Sequence, residues 1–254
     1  EGASSIDSVA YLRAAEAQAI SGDLPGALAT LESARFDGSP DPRVTDSIVR
    51  TLLVLCQLDD PKHQSQRQEY LSRAIDIDPQ HPEVSIYCAK LLFSQEAIGE
   101  ERGHVMGLCR QLVRDAATRS DAPAELFLVL GTGEASKGNF ENAKEYLRAA
   151  LERGEKSASL LNNYAWVIAQ TVDGDREYAL QLVDEAITID TSFSDAFSTR
   201  AELLVSLERY PEAIIDLERI AAIAGQSREL AMQLADLYDR IGDTKTADTY
   251  RKVK

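Results

Sequence analysis

The chain has 254 residues and a formal net charge of −15, from 27 Lys and Arg against 42 Asp and Glu. A protein that grips a nucleic-acid backbone or an anionic lipid surface needs the opposite sign, so neither is expected as a partner. No run of about 18 apolar residues occurs, so direct membrane insertion is not expected from this sequence, while 44% hydrophobic residues suffice for a folded core.

The chain opens on Glu1 rather than Met, which reads as a processed or excised fragment, with residues 1–7 as a flexible lead. Helical spacing then begins. Tyr11, Ala14, Ala15 and Gln18 share one face, the turn Gly22-Asp23 follows, and Ala27, Leu31 and Ala34 mark a second helix. Ile48, Val49 and Leu52 begin a second such unit, completed by Leu71, Ala74 and the exit Pro79 after an insertion at 59–64. Cys88, Ala89 and Leu92 begin a third, whose second half keeps only Ala117 after an insertion at 96–106. Phe127, Leu130 and Gly131, the turn Gly138-Asn139, then Ala143 and Ala150 make a fourth. Leu161, Tyr164, Ala165 and Ile168 open a fifth, with Asp173-Gly174-Asp175 as its turn. Phe197, Ala201, Leu204, Ala213, Leu217 and Ile220 form a sixth, in which Arg200 replaces an expected Leu and reads as an arginine snorkelling over an apolar surface. Ala231, Leu234, Ala235, Tyr238, the turn Gly242-Asp243 and Ala247 form the last, and its polar final helix reads as a cap.

The units run 8–41, 42–81, 82–123, 124–157, 158–193, 194–227 and 228–254, and three of them have 34 residues. A helix–turn–helix unit of about that length, with small residues where two helices meet, resembles the tetratricopeptide repeat. The resemblance covers residues 8–254 and implies an all-α fold, a right-handed superhelical solenoid of stacked antiparallel helix pairs. One helix pair cannot bury its apolar face alone, so neighbours must stack. Short side chains such as Ala15 and Ala27, or Gly131 and Ala143, are expected to let paired helices approach closely.

Little in the sequence points to chemistry. His63, His81 and His104 have no partner at metal-ligand spacing, and Cys56, Cys88 and Cys109 read as buried thiols. Leu130-Gly131-Thr132-Gly133 lacks the strand and the Gly-Lys-Ser/Thr of a phosphate loop, and Asp173-Gly174-Asp175 lacks the distal Glu of a calcium loop. No cofactor, no metal and no enzymatic activity is expected.

The resemblance also implies binding of peptide segments on the concave face lined by the first helices. The candidates there are Arg50, Tyr87, Lys90 and Phe93, then Leu128, Thr132, Asn162, Asn163, Trp166, Thr199 and Glu202. Asn162 and Asn163 suit a peptide backbone, since a carboxamide both donates and accepts, and Trp166 suits apolar contact. Arg13, Arg43, Arg50 and Lys90 give a basic N-terminal side, and Glu202, Asp236 and Asp239 an acidic C-terminal one, a gradient that would orient a ligand. The expected function is a non-catalytic scaffold capturing a protein or peptide partner. The alternatives are self-assembly as a homo-oligomer, or the repeat region of a larger protein with a catalytic or membrane part elsewhere. A cytoplasmic setting is favoured over a periplasmic or exported one.

Overall fold

A computed structural model of the chain describes residues 3–36, 41–58, 66–94, 103–172 and 174–253. The expected insertion at 59–64 with His63, most of that at 96–106, and Asp173 lie outside them. Fourteen helices form among the described residues, and no strand. They are α1 (Ala3–Ile20), α2 (Leu24–Phe36), α3 (Pro42–Gln57), α4 (Arg67–Ile77), α5 (Pro82–Phe93), α6 (Gly103–Ala117), α7 (Ala124–Ser136), α8 (Phe140–Glu152), α9 (Ala158–Gln170), α10 (Arg176–Ile189), α11 (Ser194–Ser206), α12 (Tyr210–Ala224), α13 (Arg228–Arg240) and α14 (Thr244–Tyr250). Contacts divide them between two compact units, Glu1–Leu126 and Phe127–Lys254, with the boundary inside α7.

Short polar side chains set where the helices start. Asp41 caps α3 by accepting the Arg43 amide, ahead of Pro42 at the first helical position. Ser157, Asp175, Ser227 and Asp243 cap α9, α10, α13 and α14 in the same way. The three aligned glycine turns share one geometry. The amides of Asp23, Asn139 and Asp243 reach back five residues to the carbonyls of Gln18, Glu134 and Tyr238, at 2.9, 3.0 and 2.8 Å. That bond requires the preceding residue to be left-handed, and Gly22, Gly138 and Gly242 lie at φ of 87°, 78° and 87°. Between α11 and α12 the same bond runs from Arg209 to Leu204 at 2.8 Å, but the left-handed residue is Glu208, at φ 59°.

In the first unit α1 packs on α2, α3 on α4 and α5 on α6, and α3 also touches α2 and α5. The core there is Ile48, Val49, Leu52, Val84, Cys88 and Ala89 with Leu71 and Ala74. In the second unit α9 pairs with α10, α11 with α12 and α13 with α14, and each pair packs against the next. Its core runs through Leu147, Leu161, Ala165, Val183, Phe197, Leu204, Ala213 and Leu234.

Small residues stand where helices meet, as their spacing predicts. A methyl group on Gly131 would lie 2.6 Å from Leu147 Cγ and 3.2 Å from the Ala143 carbonyl. The glycine therefore serves close packing of α7 on α8. Ala27, Ala143, Ala179, Ala213 and Ala247 occupy the matching sites on the second helices, all essentially sealed from solvent.

Candidate functional site

In the first unit the ninth residues of α3 and α5 are Arg50 and Lys90, the two cations expected to face a ligand. Arg50 Nε donates to Asp46 at 2.9 Å, and its Nη1 pairs with Glu83. His81 closes the ring. Its Nδ1 accepts the Glu83 amide at 3.3 Å, capping α5, so Nε2 carries the proton and donates to Asp46 at 3.0 Å. Hydrogen bonds from Arg50 first, and also from His81, hold the Asp46 carboxyl below its usual value. Lys90 Nζ pairs with Glu125 at 2.8 Å, and Arg43 is bound by Asp41 at 2.8 Å.

These ion pairs correct the expected charge gradient. Three of the four cations expected there, Arg43, Arg50 and Lys90, are matched by acids on the same or a neighbouring helix, so they fasten helices together and present little net charge. Tyr87 sends its hydroxyl to the Cys56 carbonyl at 3.4 Å, and burial pushes its pKa up. With Cys56, Arg67, Lys90 and Leu91 it lines a cavity of about 440 Å³. Phe93, half-buried, ends α5.

The second unit is arranged differently. The four helices α7, α9, α11 and α13 have 13 residues each. Their ninth residues are Thr132, Trp166, Glu202 and Asp236, and their fifth are Leu128, Asn162, Ser198 and Met232. A bond of 3.1 Å from Asn163 Nδ2 to Thr132 Oγ1 shows that the sixth residue of α9 meets the ninth of α7. The Trp166 ring lies edge-on to Phe140, the first residue of α8, at 5.6 Å between centroids and 75° between planes. One side of the indole is thus fixed against its neighbour, and the residue stays partly exposed.

Asn162 is 6% exposed, and its Oδ1 has no hydrogen-bond partner among the described residues. A dry, unpartnered acceptor costs about 1–3 kcal/mol, which marks the residue as unfinished in the free protein. Thr199 is buried, Leu128 half-buried, and Glu202 exposed. The protein around Glu202 nevertheless desolvates its carboxyl enough to raise its pKa. Asp236 pairs with Arg240 at 3.2 Å, and Asp239 with Arg251.

Arg200 departs from its expected role. It does not snorkel unpaired over an apolar surface. Its Nε and Nη2 hold both oxygens of the buried Asp216, at 2.8 and 2.6 Å, and its Nη1 holds Asp184 at 2.6 Å. One guanidinium thereby staples α10, α11 and α12. The hydrogen bond to Asp216 is the main cause raising its pKa. The fork of a guanidinium matches a carboxylate at two points, which a lysine could not do. The acids at 16 residues on either side of Arg200 were the sequence signal, and no helical periodicity within one element reveals it.

Among the described residues, no group of three or more His, Cys, Asp or Glu side chains is arranged to hold a metal ion. All three cysteines are free and buried. Burial pushes the Cys56 thiol up to about 12, and a hydrogen bond with Cys109 pushes Cys88 up as well. At Cys56 and Cys88 a raised thiol pKa suppresses the thiolate needed for nucleophilic chemistry, whereas the same hydrogen bond lowers that of Cys109. Among the described residues no helix is long and apolar enough to cross a membrane.

Residues 128–192 match the family model of the tetratricopeptide repeat. Helix pairs of the same kind recur on both sides of that segment, so the fold is of the tetratricopeptide-repeat type. Similar solved structures include PilF of Pseudomonas aeruginosa, at TM-score 0.59 and 18% identity over 81% of this chain and 88% of that one. YrrB, described as a TPR protein with an unusual peptide-binding site, is similar at TM-score 0.56 and 17% identity, over 72% of this chain and 89% of that one. MamA is similar at TM-score 0.53 and 18% identity, over 60% of this chain and 89% of that one. At these identities the likeness is one of fold. No curated protein sequence matches the chain.

Proposed function

We propose that the chain is a non-catalytic protein–protein interaction scaffold, and that it captures an extended peptide segment on the first helices of its second unit. The observation that carries this reading is Asn162, a buried carboxamide with an unpartnered oxygen, one helical turn before the partly exposed Trp166. A half-turn of that carboxamide exchanges its oxygen and nitrogen, so it can take a peptide N–H or give to a peptide carbonyl. Asn163 adds a second amide beside it, with its nitrogen already fixed by Thr132. Trp166 supplies an apolar surface held at a set angle by Phe140, and rigid aromatic anchors of this kind dominate many interfaces. The peptide-binding site named for YrrB supports the same use of the fold. In this reading Leu128, Thr132, Thr199 and Glu202 border or support the site, whereas Arg50, Tyr87, Lys90 and Phe93 serve the first unit's own packing and ion pairs.

The test is selection of random dodecapeptides on the immobilised full chain, followed by titration of the dye-labelled selected peptides read by fluorescence anisotropy, with Trp166 emission followed in the wild type. Binding should change the emission and weaken at least tenfold in Asn162→Ala and in Trp166→Ala, with far-UV circular dichroism unchanged. Peptides that bind all three proteins equally, or failure to select any, would refute this placement.

A further inference from the structure

We infer that the segment bound on this face is basic, with a Lys or Arg side chain lying along Trp166 and its charge meeting Glu202. The inference rests on the peptide reading above and names the chemistry of its ligand.

Position supplies the first argument. Trp166 and Glu202 are both ninth residues, on consecutive first helices, and α9 and α11 touch. A ligand crossing from one helix to the next therefore passes from an aromatic face to a carboxylate. A cation over an indole is attracted by the ring quadrupole, and Lys and Arg carry apolar stems that lie on such a ring while the charged head reaches further.

Charge supplies the second. At the second, fifth, sixth, ninth and twelfth positions of α9, α11 and α13 there are five acids and no Lys or Arg. Asp236 and Asp239 are neutralised by Arg240 and Arg251. Asp195 and Glu229 join no ion pair among the described residues. Among the described residues Glu202 has neither a hydrogen bond nor an ion pair, and only desolvation acts on its carboxyl. Elsewhere Arg50, Arg200 and Arg251 are each set between two acids, and Arg240 between Asp236 and the Tyr210 hydroxyl. Glu202 is a desolvated carboxylate without a counter-ion among the described residues, and it is the group a ligand cation would complete.

The third argument is the balance of donors and acceptors. The unpartnered atom of Asn162 is an acceptor, the Asn163 nitrogen is taken by Thr132, and Glu202 only accepts. A ligand that completes these acceptors must supply donors. Backbone N–H groups and a cationic side chain do so.

The experiment uses peptides selected on the full chain. Each basic residue of a selected peptide is replaced by Gln, and binding is measured to the wild type, to Glu202→Gln and to Glu202→Lys. One Lys or Arg should recur at a fixed place in the selected sequences. Replacing it should weaken binding to the wild type on the order of tenfold, as for a charge-assisted bond, and should have little further effect on Glu202→Gln. Glu202→Lys should reject the basic peptide. Glu202→Gln should keep its helicity and melt slightly higher near neutral pH, because the folded state now disfavours the ionised carboxyl. A merely structural role for Glu202 predicts the opposite. Peptides lost in Trp166→Ala but bare of any recurrent basic residue, or a Lys→Gln loss equal on wild type and Glu202→Gln, would overturn the inference and leave the peptide reading standing. Peptides insensitive to both Asn162→Ala and Trp166→Ala would remove both. General attraction to a chain of charge −15 is controlled for, since Glu202→Gln alters only one of 42 acids.

Discussion

Arg200 offers the sharpest test of how the second unit is held together. Asp216 is 1% exposed and both its oxygens are bound by one guanidinium. Replacing Arg200 by Met keeps most of the stem and removes the charge, which strands a buried carboxylate. Such a broken buried pair costs about 3–5 kcal/mol. Asp184 is the weaker partner, with its side chain 57% exposed, and Asp184→Asn should cost no more than about 1 kcal/mol. Arg200→Met/Asp216→Leu should regain most of the loss, because two apolar groups of similar size satisfy each other where one orphaned charge cannot. Urea unfolding followed by the single tryptophan, Trp166 on the neighbouring α9, reads the transition of this unit. A loss below about 1 kcal/mol in Arg200→Met, or a double variant no better than the single one, would refute the reasoning and return Arg200 to a surface role.

Four further outcomes follow from the geometry. Gly131→Ala should destabilise the second unit by about 1–3 kcal/mol in the same urea assay, because its methyl group would overlap Leu147. Glu208→Gly should stabilise it by up to about 1 kcal/mol, since a glycine adopts the left-handed turn without the steric cost a side chain incurs there. The three cysteines should resist a water-soluble thiol reagent in the native protein and react on unfolding in urea, because all are buried and the Cys56 thiolate is disfavoured; rapid native labelling would show that the core around them opens. Acid should fray the helix starts capped by Asp41 and Asp243. Hydrogen bonds from Arg43 and Thr246 hold these carboxyls below their ordinary value, so their contribution is complete above the unfolded value and is lost as pH falls through the folded one. Far-UV circular dichroism taken from about pH 5 to about pH 2 should show that loss in the wild type and less of it in Asp41→Ser/Asp243→Ser.

The repeating design was legible because each step in it is local. A turn that needs a left-handed residue announces itself as Gly22, Gly138 or Gly242, and a close helix approach announces itself as Gly131 or a recurrent alanine. Where the same turn is built with Glu208, the signal vanishes, because the backbone bond from Arg209 to Leu204 does not depend on the side chain. The candidate row was legible for the same local reason, since the ninth position of a 13-residue helix falls on one face. What single-helix spacing could not show was pairing between elements. Arg50 and Lys90 looked available for a ligand until Glu83 and Glu125 were found beside them, and Arg200 looked misplaced until Asp184 and Asp216 closed on it. Those partners lie 16 to 35 residues away, and no local pattern distinguishes a charge that fastens helices from one that waits for a partner.

That distinction also explains how one position serves two ends. In α3, α5, α7, α9, α11 and α13 the ninth residue is exposed or half-buried, outside the packing that seals the eighth. In α3 and α5 it is Arg50 and Lys90, each tied to an acid on the first helix that follows, and there the position binds repeat to repeat. In α9 and α11 it is Trp166 and Glu202, which make no such ion pair, and the work of joining helices passes instead to Arg200 at the seventh position. Moving the fastener inward, where Asp216 shields it from water and salt, leaves the outer position unclaimed. A charge pair exposed at the ninth position would compete with any ligand for the same carboxylate. A buried pair at the seventh does not, and this is the physical reason that the second unit can hold its helices firmly and still present Glu202 without a counter-ion.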